Sequence, residues 1–465
     1  MSFWEAATSL PTVALLCLCV ALLVAFGFEF INGFHDTANA VTTVIYTRTL
    51  SPTPAVLYSG VMNFLGAAMT VVVGTAAVAF SIVNLLPVDL LAEANSNAAL
   101  VTVLALLLAG IGWNLGTWYL GLPVSSSHTL IGSILGVGIA NGLWNGSGVG
   151  GVNWTKAGEV GLGLLISPVV GFLCAGGLLL AMKRVFRDPR LYAPPADGDK
   201  PPRWIRGVLI LTCGGVSFAH GSNDGQKGMG LLLLVLIGFL PAYYALDTNS
   251  PGEARDVAAA VVDVRAEFGK QGVPVPAALD RDLAFIGGAL DGKESFEELT
   301  TAAEDRWAVR QAIFRSRRAL DTADLPPKLR AALEPQRKVL AGAIEFVPLW
   351  VVVGTAVALG VGTCVGYKRI VVTVAERIGK SHLTYAQGAA AEAVAAVTIL
   401  AADVLKLPVS TTQVLSSGVA GTMAANRSGI QVATVRRILI AWLLTLPACM
   451  ALSGLLLVVG RVLVG

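Results

Sequence analysis

The chain has 465 residues, of which 55% are hydrophobic and only 14% charged, with a net charge of +3. A soluble protein of this length carries about 25% charged residues, so much of this surface must be built to face lipid. No basic block is interleaved with aromatics, which argues against a nucleic-acid binder, and six scattered cysteines without a CxxC pair give no zinc or redox motif.

Taken in order, the first apolar run extends from Pro11 to Phe28, after Glu5 and well before the first basic residue, Arg48. It lacks the basic flank and small-residue cleavage site of a signal peptide and reads as a retained first span. A helix needs roughly 20 apolar residues to cross a bilayer. The runs that qualify are 12–31, 54–86, 98–120, 158–182, 205–219 with 228–244, 346–367, 385–405 and 436–464. The run 54–86 is longer than one crossing requires, so it is either a tilted helix or a helix with an interfacial piece. The six cysteines lie in apolar runs and are expected to be small buried hydrophobes.

Two shorter stretches, 124–140 and 409–424, are rich in Gly, Ser and Thr, and each begins within a Leu-Pro-Val-Ser sequence. Short, interrupted apolar segments at matching places suggest re-entrant hairpins. The loop 183–206 carries seven Lys and Arg residues and is short enough to be held in the cytoplasm. Residues 245–345 hold 14 of the 33 basic and 17 of the 30 acidic residues, and read as a small helical soluble insert. The expected organisation is a first membrane repeat over 1–182, a basic connection over 183–206, the start of a second repeat over 207–244, the insert, and the remainder of the second repeat over 346–465.

The repeat itself is visible in two pairs of motifs. Phe30-Ile-Asn-Gly-Phe-His-Asp36-Thr-Ala-Asn39 aligns with Phe218-Ala-His-Gly-Ser-Asn-Asp224-Gly-Gln-Lys227 at an offset of 188. Leu122-Pro-Val-Ser-Ser-Ser-His128 aligns with Leu407-Pro-Val-Ser-Thr-Thr-Gln413 at an offset of 285. The two offsets differ by 97, close to the length of the insert. Halves that each cross an odd number of times would be inverted relative to one another. Inverted symmetry would place the insert on the periplasmic side.

Asp36 and Asp224 sit inside apolar stretches, where a carboxylate costs a few kcal/mol. Their flanks hold Asn32, Gly33, Gly221, Asn223 and Gly225, a composition that could unwind a helix and expose carbonyls to a cation and half-helix N-termini to an anion. Ser125, Ser126 and Ser127 in one half, and Ser410, Thr411 and Thr412 in the other, offer hydroxyls and free N–H groups at helix starts, which suit a tetrahedral oxyanion. Three of the four histidines, His35, His128 and His220, fall in these motifs and could carry a proton. Lys227 could pair with Asp224 or face the anion. Glu29, Asn114, Gln387, Glu392 and Asp403 are further polar residues in apolar runs, with packing as their simplest role. No HExxH or GxSxG motif supports an enzyme.

These paired stretches, together with Ile45-Tyr-Thr-Arg, Trp113-Asn-Leu-Gly-Thr-Trp-Tyr and Ser127-His-Thr-Leu-Ile-Gly, resemble the inorganic phosphate transporter (Pit) family over nearly the whole chain, least so in the insert. The resemblance implies an all-α, polytopic membrane protein of two inverted repeats with broken helices and re-entrant hairpins. It implies phosphate bound by Ser125, Ser126, Ser127, Ser410, Thr411, Thr412 and Asn39. The ion-coupling residues would be Asp36, Asp224, His35, His128, Asn223 and Lys227.

The expected activity is secondary symport of phosphate in a bacterial inner membrane, coupled to protons. The substrate would be a neutral complex of a divalent metal such as Mg²⁺ with hydrogen phosphate. No cofactor or nucleic-acid partner is expected, no metal ligands are assigned, and a homo-oligomer is left open. A sodium-coupled phosphate symporter and a sulfate permease of the same fold are the alternatives. A carboxylate acceptor near the anion favours hydrogen phosphate over sulfate, which cannot donate a hydrogen bond. Two positions depart from the family pattern: His35 stands where Asn is usual, and Gln413 where the second hairpin often has His.

Overall fold

The computed structural model describes residues 3–73, 76–85, 96–146, 148–195, 201–241, 243–248, 252–299 and 303–464. Among them the regular structure is helical, with one isolated bridge between Gly379 and Ile430. The chain divides into two compact units, Leu16–Val235 with Pro348–Gly465, and Met1–Leu15 with Leu236–Val347.

The larger unit carries the apolar helices. In chain order, following α1 (Phe3–Thr8), they are α2 (Thr12–Tyr46), α3 (Pro52–Val73), α4 (Ala77–Val83), α5 (Ser96–Tyr119), α6 (Ser126–Trp144), α7 (Trp154–Val185) and α8 (Arg203–Phe239). Thus the long run 54–86 is a helix followed by a separate short one. Five described helices are long and apolar enough to cross a membrane: Thr12–Tyr46, Leu100–Tyr119, Ala157–Val185, Tyr385–Val404 and Val432–Val464. Large apolar side chains such as Leu23, Leu165, Leu211 and Leu443 stand exposed along these elements, as lipid-facing residues should. Cys213 and Cys449 are buried as expected, but Cys19 and Cys174 are exposed on the same apolar surfaces.

The smaller unit is polar outside and apolar inside. Its helices are α9 (Glu253–Lys270), α10 (Ala277–Leu290), α11 (Ala303–Thr322), α12 (Pro327–Ala332) and α13 (Glu334–Gly342). On α9, Val257, Val261, Val264 and Phe268 recur at helical spacing and are buried against Leu283, Ile286, Ile313 and Leu340. Exposed pairs such as Arg265–Asp280 (2.8 Å) and Arg315–Asp282 (2.7 Å) decorate the surface and contribute little.

The larger unit resumes with α14 (Leu349–Thr363), α15 (Lys368–Val372), α16 (Tyr385–Val404), α17 (Thr411–Ala425) and α18 (Val432–Val464). Packing between the halves is reciprocal. Helix α6 lies along α18 and α17 lies along α7, while α5 meets both α6 and α18 as α16 meets both α17 and α7. Each Ser-rich helix therefore rests on the last long helix of the opposite half.

The expectation of broken helices at the two aspartates is corrected: α2 passes Asp36 and α8 passes Asp224 as unbroken helices. Their glycines serve contact instead. A Cβ on Gly33 would strike the Leu359 carbonyl of α14, and one on Gly221 the Asn63 carbonyl of α3. Small residues let apolar helices approach backbone to backbone, which supplies packing where lipid removes the hydrophobic drive. The same device holds the reciprocal pairs, with Gly421 against the Phe172 carbonyl and Gly171 against that of Val414. We expect Gly421→Ala to cost about 1–3 kcal/mol by overpacking against backbone. A lower unfolding midpoint in detergent would show it; an unchanged midpoint would mean that α7 and α17 can separate freely.

Candidate functional site

The Pro-Val-Ser sequences act first through backbone geometry. Ser125 (φ −90°, ψ 114°) and Ser410 (φ −93°, ψ 102°) are extended N-caps, and their hydroxyls accept from His128 N and Gln413 N, each at 3.2 Å. These two serines are thus capping residues. Capping leaves the next hydroxyls, Ser126, Ser127, Thr411 and Thr412, in the first turns of α6 and α17. All four are buried.

Asp36 receives two of them. Ser126 Oγ donates to Asp36 Oδ2 at 2.7 Å, and Thr412 Oγ1 to Asp36 Oδ1 at 2.6 Å. One carboxylate is therefore held by the starts of both Ser-rich helices, whose positive dipole ends favour a negative charge there. His35 Nδ1 lies 3.2 Å from Asp36 Oδ1.

Asp224 is served from its own helix. His220, Asp224 and Lys227 stand at i−4, i and i+3 on one stripe of α8. Lys227 Nζ is 2.6 Å from Asp224 Oδ1, donates to Ser127 Oγ at 2.6 Å and to Val409 O at 2.8 Å. Ser127 also donates to Val409 O at 3.1 Å. Of the two sequence readings of Lys227, pairing with Asp224 is the one formed, and the ammonium also latches the entry of α17 to that of α6.

His220 joins the two carboxylates. Its Nε2 lies 3.4 Å from Asp224 Oδ2 and 3.7 Å from Asp36 Oδ2. Its Nδ1 is 2.8 Å from Asn63 Oδ1, whose amide is oriented by donating to Thr363 Oγ1 at 3.0 Å. Nδ1 is at hydrogen-bond distance from Asn63, whereas Nε2 lies beside the two carboxylates without forming a hydrogen bond among the described residues. When protonated, His220 would, with Lys227, balance the charge of the two aspartates. Ser126 Oγ is also 3.5 Å from Asp224 Oδ2.

The expected residues separate accordingly. Asp36, Asp224, His35, Lys227, Ser126, Ser127 and Thr412 converge. Ser125 and Ser410 support from behind as caps. Asn223 turns away, donating to Asp403 Oδ1 at 2.5 Å, beside Ser222 donating to Asp403 Oδ2 at 2.7 Å. Among the described residues, the imidazole Nδ1 of His128 has no hydrogen-bond partner, nor has Nε2 of His35. The side chain of Asn39 lies outside the described residues. His220, read from the sequence as a possible proton carrier, joins the cluster, and Asn63 is an addition to the expected set. His220 was legible one turn before Asp224, whereas nothing in the sequence marks Asn63 as its partner.

Asp36, His220 and Asp224 offer donor atoms that all lie within 4.8 Å of one another. Two carboxylates and an imidazole make a donor set suited to a divalent cation, once His220 gives up its proton.

With this geometry in view, residues 32–453 match the phosphate transporter family. The chain belongs to the phosphate transporter family. It is 40% identical to the low-affinity inorganic phosphate transporter PitA of Escherichia coli K12 and to its PitB, covering 94% of this chain and 95% of either relative. A solved structure described as the sodium-dependent phosphate transporter shares the fold at a TM-score of 0.60 and 19% identity, covering 96% of this chain and 99% of that one. Membership of the phosphate transporter family bears out the resemblance seen in the paired motifs and the reading that the chain is not an enzyme.

Removing Lys227 should strand a buried carboxylate. Lys227→Met is expected to destabilise by about 3–5 kcal/mol, read as a lower unfolding midpoint. Adding Asp224→Asn should recover much of the loss. A Lys227→Met protein as stable as wild type would mean that the pair contributes nothing.

Proposed function

We propose that this member of the phosphate transporter family is a secondary symporter that takes up inorganic phosphate with protons. The single observation that carries this is the hold of Ser126 and Thr412 on Asp36. Two helix starts converge on a carboxylate at the place where an oxyanion would be bound. Phosphate entering there competes with Asp36 for these hydroxyls. A proton or metal ion reaching Asp36 or Asp224 weakens that hold and frees Ser126 and Thr412 for the anion. Ion and substrate then favour one another's binding, which is the thermodynamic content of symport.

The Asp36–His220–Asp224 donor set supports a divalent metal travelling with hydrogen phosphate as part of the substrate. The fixed ammonium of Lys227, beside Asp224, favours proton over sodium coupling.

The reciprocal packing supports two inverted repeats, with α6 and α17 as the helical arms of re-entrant hairpins. Helix α17 has 15 residues. Such a helix spans about 22 Å, short of the roughly 30 Å hydrocarbon core. Alternating access would come from one bundle rocking against the other about the Asp36 site. The apolar surface and the bacterial relatives support a multi-pass place in the cell membrane.

Purified protein in liposomes is expected to take up labelled phosphate under an inward proton gradient, with Mg²⁺ raising the rate. Equal uptake of sulfate, or none under any gradient, would remove this reading. Asp36→Asn and Asp224→Asn are each expected to abolish uptake while leaving membrane insertion intact. Normal uptake by both would return the aspartates to a packing role.

A further inference from the structure

Glu29 takes no part in the site described above, yet it lies on α2 two helical turns before Asp36. It is fully buried, and neither carboxylate oxygen has a hydrogen-bond partner among the described residues. Asn32, one turn along, is its polar neighbour, and the Oδ1 of that amide has no hydrogen-bond partner among the described residues. The carboxyl is pressed against α8 at Gly228, where a Cβ would collide with Glu29 Cγ, Cδ and Oε1. The helices α2 and α8 therefore touch through an acid, one residue from Lys227.

The charged groups that face Glu29 are Asp224, His220 and Lys227, all on α8. From α5 the neighbouring contact is apolar, Gly110 against the Phe28 ring. None of the cations is paired with Glu29. The Lys227 ammonium has three donors, and they are taken by Asp224, Ser127 and Val409 O. His220 faces Asn63 and the two aspartates. An ionised carboxylate left in such surroundings would have no cation paired with it, which burial disfavours. A neutral carboxylic acid forfeits only hydrogen bonds.

We propose that Glu29 is a proton-binding site of the transport cycle, separate from the Asp36–Asp224 cluster, and that its proton controls the Lys227 latch. With the proton on, Glu29 is neutral and Lys227 holds Asp224 and the entries of α6 and α17 together. When the O–H bond breaks, the proton leaves to whichever aqueous side is open. The carboxylate left behind draws the Lys227 ammonium across Gly228, and Asp224 keeps His220 as its partner. Ser127 and Val409 O lose their shared cation, so the two Ser-rich helices are released from one another. One proton thus biases a two-state latch by exchanging partners for one lysine.

This inference rests on the proton-coupled phosphate reading, and Glu29→Gln tests it because the amide keeps the shape but cannot release a proton. In liposomes, wild type should accumulate phosphate under an inward proton gradient and Glu29→Gln should lose that accumulation. Exchange of internal for external phosphate, which moves no net proton, should persist in both. Glu29→Asp, which keeps an acid, should restore part of the accumulation. In detergent at neutral pH, the infrared carbonyl stretch of a protonated carboxyl should be present in wild type and lost in Glu29→Gln. Wild-type accumulation by Glu29→Gln, or no such band in the wild-type protein, overturns the inference. If wild type itself exchanges no phosphate, the phosphate reading fails instead, and the infrared measurement still decides Glu29.

Discussion

A negative charge in an apolar interior must be held by something, and in the larger unit that charge is Asp36. Its two oxygens take hydroxyls from α6 and α17, and His35 and His220 lie on its flanks. Four helices distant in sequence, α2, α6, α8 and α17, are thereby committed to one point. The extended Pro-Val-Ser entries bring each helix in with its first turn facing inward. The glycines of α2 and α8 let α3 and α14 close behind them. Taken singly, these are ordinary devices of capping and packing. Their convergence keeps a carboxylate in place at a depth where it would otherwise be expelled.

The part of this that could be read from the sequence was the part that repeats. Two motif pairs at related offsets marked Asp36, Asp224 and the hydroxyl clusters, and of these Asp36, Asp224, Ser126, Ser127 and Thr412 come together. Pairing across the chain was less accessible. Asn63 has no counterpart motif, and Asn223 belongs to a motif yet turns to Asp403. The glycines illustrate a different ambiguity. Gly33 and Gly221 in an apolar helix can signal either a break or a close approach, since both need a missing side chain. Composition does not distinguish them, and only the facing carbonyls of Leu359 and Asn63 show that approach is the use made here. Ser125 and Ser410 were likewise indistinguishable from their neighbours until the backbone angles showed them to be caps.

The halves share a scaffold but differ in charge. Asp36 is stabilised mainly by neutral hydroxyls and histidine, whereas Asp224 has a lysine at contact distance. A neutral donor can be exchanged for substrate at small cost, while a buried ion pair gives up its partner only when another is supplied. The first half is therefore suited to receiving a ligand, and the second to sensing an ion. Lys227 links these tasks, since its other two hydrogen bonds reach Ser127 and Val409, at the starts of the two opposing helices.

The reciprocal packing of α6 on α18 and α17 on α7 has a consequence for biogenesis. Helix α6 enters the membrane long before α18 has been synthesised, and the partner it is shaped to meet follows α17 in the chain. Its buried serines must wait in provisional surroundings until α18 has been made. Contacts this distant in sequence close late and slowly. A truncation that removed α18 would thus deprive the first half of its lining rather than merely shorten the second, and quality control would meet a nascent chain with polar groups still unsatisfied in lipid.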